Sequence, residues 1–306
     1  MKKCYKILLG MLLAVSLVGC AEKKEAEETV VVEITEEAVE MEVEEELEVQ
    51  KVVEEKEDLS ENVIEESEKI INESELVVNE PSEEATEEAK NVENTGVLVV
   101  IDAGHQQKGN SEKEPVGPGS SEMKAKVAGG TTGVSTGIPE YQLNLQVALL
   151  LEEILLERGY EVLMVRTTHE VNISNAERAA VANDAGADAF IRIHANGAAD
   201  SGVHGAMTLC QTPSNSYNGA LYEESRKLSD CVLDAFVEKT GAKKQRVWET
   251  DTMSGINWAM VPTTIVEMGY MSNPEEDQKM ASTEYQKLMA EGMADGIDRY
   301  FEGGAE

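Results

Sequence analysis

The feature that most limits what this chain can fold into is a change of material near residue 95 of its 306. Residues 21–95 hold 29 Asp and Glu against 6 Lys and Arg, a net charge of −23, with one proline, no glycine and no aromatic residue. Such a segment cannot bury enough apolar surface to offset the entropy lost on ordering it. Its valines and isoleucines are scattered, and like charges four apart oppose a helix, which leaves room only for transient helix. It reads as a disordered acidic tether that would span roughly 50 Å end to end as a flexible coil, and more where self-repulsion stretches it. A stable fold is therefore expected from Gly96 onward, in residues 96–306, which carry −14 of the total −34.

The first twenty residues, "MKKCYKILLGMLLAVSLVGC", carry three lysines and no acid, then an apolar run from Ile7 to Val18, then Gly19 and Cys20. A charged start, an apolar middle too short to span a bilayer comfortably and a small residue before a cut are the marks of a secretory signal. Leu17-Val18-Gly19-Cys20 resembles the lipobox of bacterial lipoproteins. That resemblance implies removal of residues 1–19, lipid modification of Cys20 and attachment of the 20–95 linker to the outer face of the cell membrane. A plain signal peptide or an uncleaved anchor with an incidental cysteine is the alternative. The absence of a basic patch or of Lys/Arg interleaved with aromatics argues against nucleic acid as a partner. Cys210 and Cys231 remain beyond the leader; Cys231 falls beside Leu228, Val232 and Ala235 as a core thiol would, and a disulfide between the two is permitted but not indicated.

From Gly96 the chain alternates between strand-like and helical patterns. Strands are expected at Val97–Ile101, Glu161–Arg166, Ala189–Ile193, Gly205–Cys210 and Thr263–Glu267. Helices are expected at Glu140–Arg158, Asn175–Asp184, Tyr217–Thr240 and Tyr285–Phe301, the first bounded by Pro139 and Gly159. Such alternation predicts one α/β domain, a single mostly parallel or mixed sheet flanked by helices. Residues 106–139, rich in Gly, Ser and Thr, show no hydrophobic periodicity and read as a long loop.

Sites in such sheets gather outside the carboxyl ends of the strands. His105 follows the first strand in "VLVVIDAGHQQ", His194 ends "AFIRIH" and Glu267 lies in "TTIVEMGY". Glu140 opens a helix, and helical spacing sets it above Leu143, Val147, Leu150 and Ile154, on the apolar face, where a carboxylate needs a partner. Two imidazoles and a carboxylate at one sheet edge have the composition of a three-ligand zinc site with an open position. Spacing alone does not decide it: each histidine could be a solvated or core residue, and Glu140 could simply satisfy the helix dipole. Asp102 could accept a hydrogen bond from a ligand histidine's other ring nitrogen, or bond loop backbone. Arg192, two residues before His194, reads as a member of a structural ion pair facing away from Ile193. His169 and His204 read as core or surface residues, with a place for His204 near the cleft left open.

Four stretches in order, "VVIDAGHQ", a Glu opening the next helix, "NISNAERAAVANDAGADAFIRIHANG" and "TTIVEMGYMSNPEED", resemble the zinc-dependent N-acetylmuramoyl-L-alanine amidases with the type-3 catalytic domain. The resemblance covers nearly all of residues 96–302. It implies His105, Glu140 and His194 as Zn2+ ligands and Glu267 as the catalytic carboxylate. It further implies hydrolysis, by zinc-activated water, of the amide between the lactyl group of N-acetylmuramic acid and the L-Ala of the stem peptide. Peptidoglycan would be the substrate and the site extracytoplasmic. A metallopeptidase cutting within the stem and an inactive wall-binding module remain alternatives, and a protein activator is left open. The chain departs from the family where Gln106-Gln107-Lys108 replaces the usual glycines and Asp-Pro-Gly after the first histidine, and at Arg192, where a small polar residue is common.

Overall fold

Val99, Val100 and Ile101 are wholly buried, as an apolar run without alternation requires of a strand covered on both faces. They belong to β1 (Leu98–Ala103) of a computed structural model that describes residues 94–303. The expectations for the leader, for Cys20 and for the acidic tether up to residue 93 lie outside the described residues.

The chain runs on through β2 (Asn110–Pro115), β3 (Met123–Val127), α1 (Glu140–Glu157), β4 (Glu161–Met164), α2 (Asn175–Ala185), β5 (Ala189–Asn196) and β6 (Ala206–Cys210). It continues through α3 (Tyr222–Thr240), β7 (Lys244–Glu249), the single turn α4 (Ser254–Asn257), β8 (Thr263–Tyr270), α5 (Pro274–Met280) and α6 (Thr283–Glu302). Six strands form one sheet in the order β4-β1-β5-β8-β6-β7, and β2 and β3 form a separate antiparallel hairpin. Every pair in the large sheet is parallel except β6 with β8, so the mostly parallel sheet expected from the sequence is present.

Strand alternation sorts the core into two layers. Val99, Ile101, Ile191 and Ile193 face one way and pack with Leu143 and Leu151 of α1, Leu228 and Val232 of α3 and Met293 of α6. Val100 and Phe190 face the other way, against Ala179 and Ala182 of α2 and Ala259. Helix α2 is set at both ends by its own sequence: Ser174 and Glu177 form a reciprocal capping box, and Gly186 closes it in the left-handed conformation. Where α6 crosses α3, a Cβ at Gly296 would overlap the backbone of Val232, so close helix contact depends on that glycine.

Three details differ from the sequence reading. The helix expected from Tyr217 starts at Tyr222, because Asn215 and Asn218 turn the preceding residues into a side-chain-bonded loop. Strands β5 and β8 run past His194 and Glu267 to Asn196 and Tyr270, so both site residues lie inside strands. Part of the 106–139 segment is the β2–β3 hairpin, whose strands "NSEKEP" and "MKAKV" carry no apolar run that could have marked them.

Candidate active site

Three neighbouring strands deliver the site. His105 lies just beyond the end of β1, His194 is in β5, and Glu267 of β8 is paired in register with His194. Gly104 joins β1 to His105 because a side chain there would collide with the His194 ring. His105 itself has φ 60, the one non-glycine residue at positive φ among the described residues. Its backbone is held by Arg178, whose Nη2 donates to the His105 carbonyl at 2.9 Å. Its ring is held by the Ala128 carbonyl, 2.9 Å from Nδ1, which fixes that nitrogen as the donor and turns the Nε2 lone pair inward.

Glu140 reaches the same point from the first turn of α1, after Pro139. Its Oε1 lies 3.1 Å from His105 Nε2 and 3.2 Å from His194 Nδ1. Backbone N–H groups complete its shell: Ala195 donates to Oε1 at 3.1 Å and Thr131 to Oε2 at 2.9 Å. Asn144, one turn further along α1, donates to both Oε1 and the Gly104 carbonyl. Burial alone would raise the Glu140 pKa, but the two imidazoles hold it well below the usual carboxylate range. Burial pushes His194 down towards the neutral form. It acts in the same sense on His105, where the hydrogen bond and charge of Glu140 outweigh it and leave the ring raised.

One ligand atom from each of His105, Glu140 and His194 lies within 4.8 Å of the other two. Two nitrogen donors and one carboxylate oxygen, pre-oriented by Ala128, Ala195 and Thr131, fit a divalent metal with an open coordination position. Glu267 faces the same space and is half-buried, and its Oε2 has no partner among the described residues. Burial, with a smaller contribution from the charge of Glu140, pushes its pKa up to about 8.

His105, Ala128, His194 and Glu267 stand where two clefts meet. One, of about 470 Å³, runs between the β2–β3 hairpin and residues 252–255; the other, of about 300 Å³, runs along Gly129–Thr131 and Asn196–Gly197. The site is thus a junction open on two sides, with His105, Glu140 and His194 at its centre.

The N-acetylmuramoyl-L-alanine amidase family model of the Amidase_3 type matches residues 99–299. The chain belongs to this amidase family. It is similar to the N-acetylmuramoyl-L-alanine amidase Rv3717 of Mycobacterium tuberculosis, 27% identical over 213 residues that cover 66% of this chain and 85% of the relative. It is also similar to the amidase CwlM of Bacillus licheniformis, 29% identical over 177 residues, 56% of this chain and 65% of that one. Among solved structures, the amidase Ami1 of Mycobacterium smegmatis superposes with a TM-score of 0.62 at 25% identity, covering 68% of this chain and 98% of that one.

Within this amidase domain the four residues singled out in the sequence converge, while several of their supports were not foreseen. Asp102 contacts neither a ligand histidine nor loop backbone: its Oδ1 accepts from Arg178 Nη1 at 2.6 Å and its Oδ2 from Arg192 Nε at 2.9 Å. Arg192 is therefore in the ion pair expected of it, and Gly255 leaves the space its guanidinium fills. Arg166 is a further support, donating to the carbonyls of Ala103, Gly104 and Tyr141. The signal for these arginines was available: Arg178 falls on the buried Ala179/Ala182 side of α2, and such a guanidinium must find acceptors. His169 packs edge-on against Tyr141, exposed His204 sits by the Gly202 carbonyl, and neither lines the clefts. Cys210 is buried and Cys231 only half-buried at the rim of the α3 stripe, and both are free thiols.

Proposed function

We propose that this amidase is a zinc-dependent peptidoglycan hydrolase that cleaves the amide between the lactyl group of N-acetylmuramic acid and L-Ala of the stem peptide. The observation that carries the proposal is the convergence of His105, Glu140 and His194 on one point, with Glu267 beside them. His105 Nε2, His194 Nδ1 and a Glu140 oxygen would hold the ion. When bound, zinc would supply a Lewis acid for the scissile carbonyl and lower the pKa of a water. Among the described residues Glu267 is the one carboxylate at the junction outside the proposed ligand set. A cation held by His105, Glu140 and His194 would favour the ionised form of Glu267, which can take a proton from water and pass it to the leaving amine.

The family match and the named amidase relatives support this reading over a metallopeptidase, and the presence of all four residues speaks against an inactive binding module. Mass analysis of muropeptides digested by the zinc-loaded protein distinguishes the three. Release of an intact stem peptide beginning at L-Ala is expected; cleavage within the stem, or no cleavage, would contradict the proposal. The "LVGC" sequence supports export and attachment to the outer face of the membrane through Cys20, with residues 20–95 as a tether to the wall. Among the described residues no helix is long and apolar enough to cross a membrane. Cys20→Ser is expected to release the protein from the membrane fraction, and retention there would refute lipid attachment.

A further inference from the structure

The two arms of the cleft are chemically unlike. The smaller is lined by Gly129, Gly130, Thr131, Asn196 and Gly197 and presents no Lys or Arg among the described residues. The larger carries Lys113 and Lys124 of the hairpin, with Arg192 at its floor. Lys124 Nζ spans this arm to the Thr252 carbonyl, a contact that leaves its charge uncompensated. Most of the nearby carboxylates are engaged elsewhere: Glu112 pairs with Lys126, and Asp251 is held by Thr212 and Asn215. Glu114 is buried, accepts from the Ala176 N–H and acts with its charge on Arg192. Asp102 is shared by Arg178 and Arg192. Glu267, at the junction, is the one acid among the described residues that lines this arm. A positive channel in a domain of net charge −14 is a local arrangement and not a reflection of composition.

The scissile amide joins two unlike partners: a polymer of neutral, bulky sugars and a slender peptide with free carboxylates. The glycine-lined arm suits the first. The hairpin arm, with Lys113 and Lys124 and with Met123, Met253 and Leu209 for aliphatic side chains, suits the second. We propose that the hairpin arm receives the peptide side of the substrate, and that Lys113 and Lys124 select stems carrying free carboxylates over amidated ones. This rests on the amidase reading above.

The test uses the zinc-loaded full chain and two muropeptides with identical sugars, the second stem residue carrying either a free carboxylate or its amide. At low ionic strength kcat/KM should favour the carboxylate about three- to ten-fold, the scale of one or two partly exposed charge pairs. The preference should shrink as salt is added. It runs against the field of the domain, whose net negative charge alone would disfavour the more acidic substrate. The double variant Lys113→Gln/Lys124→Gln should bring the ratio to one or below, while Lys113→Arg/Lys124→Arg should keep it. Equal kcat/KM in the parent protein, or a ratio unmoved by the Gln pair, would overturn the inference and leave the amidase reading intact. Cleavage of neither muropeptide would overturn both.

Discussion

Asp102 and Glu140 are both buried carboxylates held between two nitrogen-bearing side chains at the same edge of the sheet, yet they are built for different ends. Asp102 sits between Arg178 and Arg192, all three essentially closed to solvent, with contacts of 2.6 and 2.9 Å. Glu140 sits between His105 and His194 at 3.1 and 3.2 Å, and the imidazoles are partly open to the cleft. A guanidinium keeps its proton and has no acceptor, so the Asp102 cluster is a closed ion group that ties β1 to β5 and α2. A neutral imidazole offers a lone pair, so the Glu140 cluster can become a donor set for a metal. Burial works against the charge of both carboxylates, and in both the neighbouring groups win and hold the pKa well below the usual range. The same electrostatic outcome therefore says little about role; the chemistry of the nitrogen partner says more.

Breaking the closed cluster should produce the largest change in stability. Asp102→Asn leaves two buried guanidinium groups facing a neutral amide, and loss of about 3–5 kcal/mol is expected for a buried pair broken on one side. Chemical denaturation measures it; a loss under about 1 kcal/mol would mean that the arginines do not depend on Asp102. Metal content of the folded fraction should be unchanged.

Glu267, a half-buried carboxylate with no nitrogen partner among the described residues, sharpens the contrast from the other side. Glu267→Gln should keep the fold and the metal but lower turnover by at least about a hundred-fold, the usual scale for an acid–base group. Loss of metal together with activity would make it a ligand instead, and near-normal turnover would make it structural.

A smaller effect should appear in the metal-free protein as a function of pH. A carboxylate raised from 4.5 to about 8 favours the folded state fully below pH 4.5, and that contribution is lost as pH rises through 8. Glu267→Gln should therefore raise the melting temperature of metal-free protein above pH 8, with the difference fading towards pH 4.5. A substitution that lowers the melting temperature at high pH would contradict the environment assigned to Glu267.

The sequence made most of the frame legible because the central strands are continuous apolar runs and the long helices keep a regular apolar face. What it hid lies where those signals fail. β7, "KQRVWE", is an edge strand with alternating exposure and three charged residues, and α5, "PEEDQKM", is two turns long. The three candidate ligands were legible as residue types near strand ends and at a helix start, but spacing could not show that His105, Glu140 and His194 meet. Asp102 was misread because its partners lie 76 and 90 residues away, and only the fold brings α2 and β5 against β1. The hairpin arm was hidden for a related reason: Lys113 and Lys124 look like ordinary surface lysines until the fold sets the hairpin beside the cleft.

The most direct test of the account is the zinc content of the purified full chain compared across His194→Ala and Asp102→Asn. About one zinc per chain is predicted in the parent protein and in the folded fraction of Asp102→Asn, and almost none in folded His194→Ala. Active parent protein without zinc, or undiminished zinc in His194→Ala, would contradict the claim that the Glu140 cluster is the metal site.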